Sequence, residues 1–320
     1  ALSSAASDVY KRQQMGLIMA QLQDEKPGLP YFNPDYTGEY PAEAPFTISE
    51  LERIYPAASA RSKEDEAFAA RAHEETFRLQ HGERGERALW QHILRVSVED
   101  LKRNYDNLGV SFDVWLGESD AHEASSEIVK IAKEKGLAEL DDGALIIRLE
   151  EGNKPKPPVI LIKSDGGFGY QITDIATIKM RYDDLKADEI IYVVDKRQSL
   201  HFEQVFEASE KLGIAPGVKM LHIGFGTVNG ADGKPFKTRD GGVMNLEDLI
   251  ALSKDKVRES MPKPEETDGY DAAYIENLVG EIAIGAIKFQ DLKNTISAGY
   301  VFELEDFAKF EGKTGPYIQY

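Results

Sequence analysis

Apolar positions fall into two regimes along the chain. Between Glu64 and Leu108 they recur at helical spacing among dense charge, as Phe68, Ala72, Phe77, Leu89, Ile93, Val96 and Leu101. That spacing predicts two or three amphipathic helices with solvated charged faces. Another helical stretch runs from Glu123 to Lys135 and stops at Gly136. Short apolar runs then take over, and Leu145-Ile146-Ile147 and Val159 to Ile162 read as strands.

From Pro158 onward the pattern alternates. A turn at Asp165-Gly166-Gly167 precedes a helix from about Asp174 to Leu185, and a strand over Glu189 to Val194 follows. A helix over Leu200 to Leu212 and a strand over Val218 to Ile223 complete the run. Short strands separated by helices predict parallel pairing through right-handed crossovers, an α/β doubly wound, Rossmann-like sheet. Ligands of such sheets bind beyond the carboxyl ends of the strands. The ends at Asp195-Lys196-Arg197-Gln198 and at Gly224-Phe225-Gly226 are therefore expected to line one crevice.

The flanks differ from this pattern. Ala1 to Gln13 is small and polar without an apolar period, and reads as a non-native or disordered leader. Asp24 to Pro56 is rich in Pro, Gly, Tyr and acidic residues, and reads as an insertion or linker ending in a helix start at Ser49-Glu50-Leu51-Glu52. The expected organisation is a leader over 1–13, a Rossmann-like domain over 14–23 and 157–269, a mostly helical insertion over 24–156, and a C-terminal helical segment over 270–320. The apolar segment Met15 to Leu22 lacks the basic flank and cleavage site of a signal peptide. No apolar run approaches the ~20 residues of a membrane-spanning helix, so no membrane association is expected.

Composition narrows the picture further. Apolar residues at 42% and charged residues at 29% of the 320 are those of an ordinary globular protein. Fifty-six acidic against thirty-eight basic residues give a formal charge of -18, the wrong sign for a surface that grips nucleic acid throughout. Any RNA contact must be local, or made by another part. The absence of cysteine excludes disulfides, thiolate zinc sites and cysteine nucleophiles. A cytoplasmic home is the default expectation.

Three groups of residues could carry chemistry. The loop Asn229 to Gly242 places Gly230, Gly233, Gly241 and Gly242 around Lys234, Lys237 and Arg239, with phosphate as the obvious ligand. It is neither a P-loop nor a dinucleotide fingerprint, and a glycine- and lysine-rich turn is also ordinary surface composition. Tyr170 and Asp174 sit four apart at a strand-to-helix junction, with Asp174 expected in the first helical turn. The macrodipole alone favours a carboxylate there; at a crevice rim the pair could instead grip a cation, in a forked pairing with a guanidinium. His201 and His222 lie near strand ends, while His73, His81, His92 and His122 are in the charged helical part. None forms a metal set, each reads as structural or solvated, and no zinc site is expected.

Longer stretches carry a resemblance. Gly167-Phe-Gly-Tyr-Gln-Ile-Thr-Asp-Ile-Ala, Ile191-Tyr-Val-Val-Asp-Lys-Arg-Gln-Ser-Leu-His201 and Gly233-Lys-Pro-Phe-Lys-Thr-Arg-Asp-Gly-Gly242 resemble arginyl-tRNA synthetases, class I aminoacyl-tRNA synthetases, in order and spacing. Further matches are Tyr105-x-x-Leu108-x-Val110-x-Phe112-Asp113 with Gly117-Glu118-Ser119, Ile284 to Phe289 with Asp291-Leu292, and the terminal Thr314 to Tyr320. The likeness covers residues 14 to 320 with insertions.

This resemblance implies an arginine–tRNA ligase, which activates arginine with ATP to arginyl-adenylate and transfers it to tRNA(Arg). Tyr170 and Asp174 would hold the guanidinium and Gln198 the α-amino group. His222, Phe225, Gly226, Val228 and Thr238 would receive ATP. Lys234, Lys237 and Arg239 would act on the phosphates, with Mg2+ arriving on ATP and no protein-bound metal. A monomer is expected. The K-M-S-K motif of class I enzymes is replaced by Pro235-Phe236-Lys237-Thr238, and no H-I-G-H motif precedes Gln14-Met15-Gly16. Tyr320 falls where a helical anticodon-binding domain would begin. The chain thus reads as a piece incomplete at both ends, with the full-length parent active and this piece alone inactive. The alternative is a non-catalytic arginine-binding module derived from the same fold.

Overall fold

The structure, a computed structural model, describes residues 8–151, 154–164, 166–230, 246–261, 271–301 and 315–319. The chain divides into two compact units, with the break between Asp113 and Val114.

The first unit is helical: α1 (Asp8–Glu25), α2 (Ile48–Arg61), α3 (Glu66–Gln80) and α4 (Arg84–Asn107). Helix α1 begins inside the stretch that the pattern assigned to a leader. Its consecutive residues Leu17 to Leu22 include the buried Leu17, Ile18, Met19, Ala20 and Leu22, so its mid-section is enclosed on several sides. Ile54 of α2 and Leu89 and Ile93 of α4 pack with it. The helix start expected at Ser49 is present at Ile48, but it opens a full helix running past Pro56 rather than closing a linker. Thr47 caps it: its Oγ1 accepts from Glu50 N at 3.3 Å, and Glu50 Oε2 accepts from Thr47 N at 2.8 Å. This reciprocal box satisfies two amides that the first turn leaves without partners. Asp24 pairs with Arg61 at 2.6 Å and Arg71 at 2.7 Å, and these guanidiniums hold its carboxyl down at about 2.

The second unit is mixed. Helix α5 (His122–Glu134) is followed by β1 (Glu139–Asp141), β2 (Ala144–Glu151) and β3 (Lys154–Ile162), which form an antiparallel sheet in that order. The strand at Val159 to Ile162 is therefore paired antiparallel to β2, not parallel as the alternation suggested. Only two residues separate β2 from β3, and a parallel crossover needs a dozen or more. Parallel pairing holds for β4 (Glu189–Asp195) and β5 (Lys219–Phe225), in register from Glu189↔Lys219 to Asp195↔Phe225. Helix α7 (Ser199–Leu212) connects those two strands, ending at Gly213 with φ 66°, where a glycine can turn left-handed.

Helix α6 (Tyr170–Asp183) joins β3 to β4. It buries Ile172, Ile175, Ala176 and Ile178. These join Ile128 and Ala132 of α5, Val159 and Leu161 of β3, Ile190 of β4, and Phe202 and Val205 of α7 in one core. Beyond β5, the short strands β6 (Val228–Asn229) and β7 (Tyr300–Val301) pair parallel. Helices α8 (Leu246–Ser260), α9 (Ala272–Leu292) and α10 (Gly315–Gln319) are the remaining helices among the described residues of the unit.

Candidate functional site

The carboxyl ends of β4 and β5 lie side by side, since Val194 pairs with Gly224 and Asp195 with Phe225. The turn Lys196–Gln198 leaves β4 as a single 3-10 turn. Asp195 shapes it by accepting at Oδ1 from Arg197 N at 2.8 Å, while the Arg197 guanidinium clamps both carboxylate oxygens at 3.0 and 2.7 Å. Those bonds hold the Asp195 carboxyl down at about 2. Gln198, half-buried, ends this turn and is the residue from which α7 begins. A side chain at Gly224 would press on the Lys196 backbone, at 2.8 Å from its Cα, so glycine lets the two strand ends approach.

Tyr170 is the first residue of α6. Asp174 consequently sits in the second turn, one turn deeper than the sequence pattern suggested, and the favourable position in the first turn does not account for it. The earlier start follows from Gly169, whose extended backbone reaches the helix directly from the Ile162–Phe168 bridge. Thr173 Oγ1 donates to Tyr170 O at 2.8 Å and Thr177 Oγ1 to Asp174 O at 2.8 Å.

His201 supplies what the sequence pattern did not show. From the first turn of α7, its Nε2 lies 2.6 Å from Asp174 Oδ2. Its ring stacks on Tyr170, with centroids 5.0 Å apart and planes at 27°. Phe202 meets His201 edge-on at 4.9 Å and stacks on His222 at 4.8 Å. Tyr170, His201, Phe202 and His222 thus form one continuous column of rings from α6 across α7 to β5. His222 Nε2 lies 3.2 Å from Val194 O, across the parallel pair.

Behind the column, Tyr192 of β4 is buried against Phe202 and Phe206, and burial pushes its hydroxyl pKa up. Arg181 Nη1 donates to the Tyr192 oxygen at 2.6 Å, and Thr177 Oγ1 lies 3.3 Å from it. This polar network braces the middle of α6 against the sheet.

The segment after β5 is tied down from the far end of the unit. Gly226 N donates to Ile296 O at 3.0 Å, and Lys196 Nζ donates to Ser297 O at 3.1 Å. A Cβ at Gly226 would overlap the Ala298 backbone, so only glycine permits that approach. Phe225 and Val228 are partly exposed beside it. Lys234, Lys237, Thr238 and Arg239 lie outside the described residues. Among the described residues, no group of three or more His, Cys, Asp or Glu could hold a metal ion, and no helix is long and apolar enough to cross a membrane.

Comparison with known proteins points one way. The family model described as "tRNA synthetases class I (R), catalytic domain" matches residues 12–304. The chain is 51% identical over 314 residues to an arginine–tRNA ligase of Agathobacter rectalis, covering 96% of this chain and 52% of that protein. It is 49% identical over 310 residues to one from Alkaliphilus oremlandii, again covering 96% of this chain and 52% of the relative. The chain spans about half the length of these curated relatives. A solved arginyl-tRNA synthetase from Plasmodium falciparum superposes with a TM-score of 0.74 at 25% identity, covering 95% of this chain and 47% of that one. One from Thermus thermophilus does so at 0.71 and 19% identity, covering 96% and 54%, and shares the fold.

Proposed function

Because this chain belongs to the family of class I tRNA synthetases (R), catalytic domain, we propose that it carries the amino-acid-activating site of an arginine–tRNA ligase. The substrates are arginine, ATP with Mg2+ on its phosphates, and tRNA(Arg). The arginine carboxylate attacks the α-phosphorus of ATP, the bond to pyrophosphate breaks, and arginyl-adenylate remains. The terminal ribose of tRNA then displaces AMP.

The observation that carries the substrate is the Asp174 carboxylate, one helical turn from Tyr170 on the same face of α6 and partly open to solvent. A carboxylate and an aromatic ring so placed can meet a guanidinium by forked hydrogen bonds and by its flat face. Gln198, on the turn at the end of β4, receives the α-amino group. His222, Phe225, Gly226, Val228 and Thr238 receive ATP, and Lys234, Lys237 and Arg239 neutralise charge on the phosphates as they rearrange. Positioning and charge stabilisation do most of this work, and no covalent enzyme intermediate is required. The catalytic domain includes residues 157–269, and 270–320 form the connection toward an anticodon-binding domain, in a monomeric cytoplasmic enzyme.

Arginine binding to the full-length protein, measured by calorimetry, tests the assignment. Asp174→Asn should weaken it by about 2–5 kcal/mol, the loss when one partner of a desolvated charge pair goes. Unchanged affinity would remove arginine as the substrate. Saturable arginine binding without any ATP chemistry would instead point to a non-catalytic arginine-binding module.

A further inference from the structure

We propose that His201 is a positioning residue for the guanidinium site, holding the Asp174 carboxylate in one orientation and bracing the Tyr170 ring beside it. This rests on the arginine reading of Tyr170 and Asp174. One imidazole touches both residues: Nε2 reaches Asp174 Oδ2 at 2.6 Å, and the ring lies against Tyr170 at 5.0 Å. His201 is 5% exposed, whereas the Asp174 side chain is 26% exposed, so the histidine approaches from the protein side and leaves part of the carboxylate open.

The direction of the hydrogen bond follows from the partners. Among the described residues, His201 Nδ1 is buried without a hydrogen-bond partner. A carboxylate oxygen accepts, so the Nε2 that faces Asp174 is the donor. It donates one hydrogen bond to Asp174 Oδ2. An ionised carboxylate offers about four lone-pair positions, and one used by His201 leaves Oδ1 and the outer face of Oδ2 for a forked guanidinium. A lysine or arginine at 201 would fix the carboxylate equally well and would compete with the substrate for its charge.

The rest of the packing keeps the imidazole in place. Phe202, 4% exposed, meets its face edge-on, and Tyr170 covers it from α6. Among the described residues, His201 is the donor to the Asp174 carboxylate, while the backbone carbonyl of Asp174 receives Thr177 Oγ1.

The test compares His201→Phe, His201→Gln and Asp174→Asn in the full-length protein, by arginine calorimetry and by KM and kcat for tRNA charging. His201→Phe keeps a ring against Tyr170 and removes the donor. It should raise the arginine Kd and KM by about tenfold or more, the order for a hydrogen bond to a charged group, while the ATP KM stays within about twofold. His201→Gln retains an N–H within reach of Asp174 and should recover part of that loss, which a packing defect would not allow. If Asp174→Asn weakens arginine binding but His201→Phe does not, or if His201→Phe moves arginine and ATP KM together, the positioning role is overturned and the substrate reading stands. If Asp174→Asn leaves arginine binding unchanged, the substrate reading falls and the positioning role with it.

Discussion

Gly169 is pressed against Ile160, so that any Cβ at 169 would overlap the Ile160 carbonyl oxygen, while Gly169 N donates to Leu161 O at 3.1 Å. This approach of the chain to β3 allows α6 to start at Tyr170 and so fixes where Tyr170 and Asp174 stand. Gly169→Ala must displace one of the two backbones. We expect a loss of about 1–3 kcal/mol in urea unfolding, the usual cost of overpacking, together with a higher arginine KM. A variant with wild-type stability and KM would show that the approach does not position the helix.

Phe202 is the hub of the ring column, in contact with Tyr192, His201, Phe206 and His222. Phe202→Ala should cost about 3–5 kcal/mol in denaturant unfolding, as for other large buried rings. Phe202→Leu should cost less, yet still disturb arginine binding, because it removes the edge that packs on His201.

The helical unit carries a pH dependence of its own. Glu75 is buried on α3, and burial, with Glu86 alongside and Arg78 opposing, pushes its carboxyl up to about 6. Between the ordinary 4.5 and about 6 the folded state keeps a proton that the unfolded chain releases. The stability so contributed is present below about 4.5 and lost as pH rises through about 6, on the order of 2 kcal/mol in all. Glu75→Gln should therefore raise the melting temperature at pH 8, leave it nearly unchanged at pH 4.5, and flatten the profile between. A melting temperature lowered equally at both pH values would contradict this.

The sequence pattern located β4, α7 and α5 to within two residues, because each has a strong apolar period and a clear stop, as at Gly136 and Gly213. It placed the start of α6 late. Nothing local marks Tyr170 as a helix start, and the cause is a backbone contact between Gly169 and Ile160, nine positions apart. The antiparallel pairing of β2 with β3 was missed because a run such as Val159 to Ile162 has the same composition in either kind of sheet. Tyr170 and Asp174 stood out by their spacing. His201 did not, because its partnership with Asp174 spans 27 positions and joins two helices. Its sequence signals were its place near a strand end, three residues after Gln198, and its position at the end of the Ile191 to His201 stretch, neither of which names Asp174 as its partner.

The most direct measurement is arginine-dependent exchange of pyrophosphate into ATP by the full-length protein with tRNA(Arg) in the assay, comparing arginine, lysine and citrulline. A guanidinium site at Tyr170 and Asp174, as proposed, predicts exchange with arginine and none above background with citrulline, which keeps the shape but lacks the charge that Asp174 would meet. Exchange supported equally by citrulline or lysine, or by no amino acid at all, would contradict it.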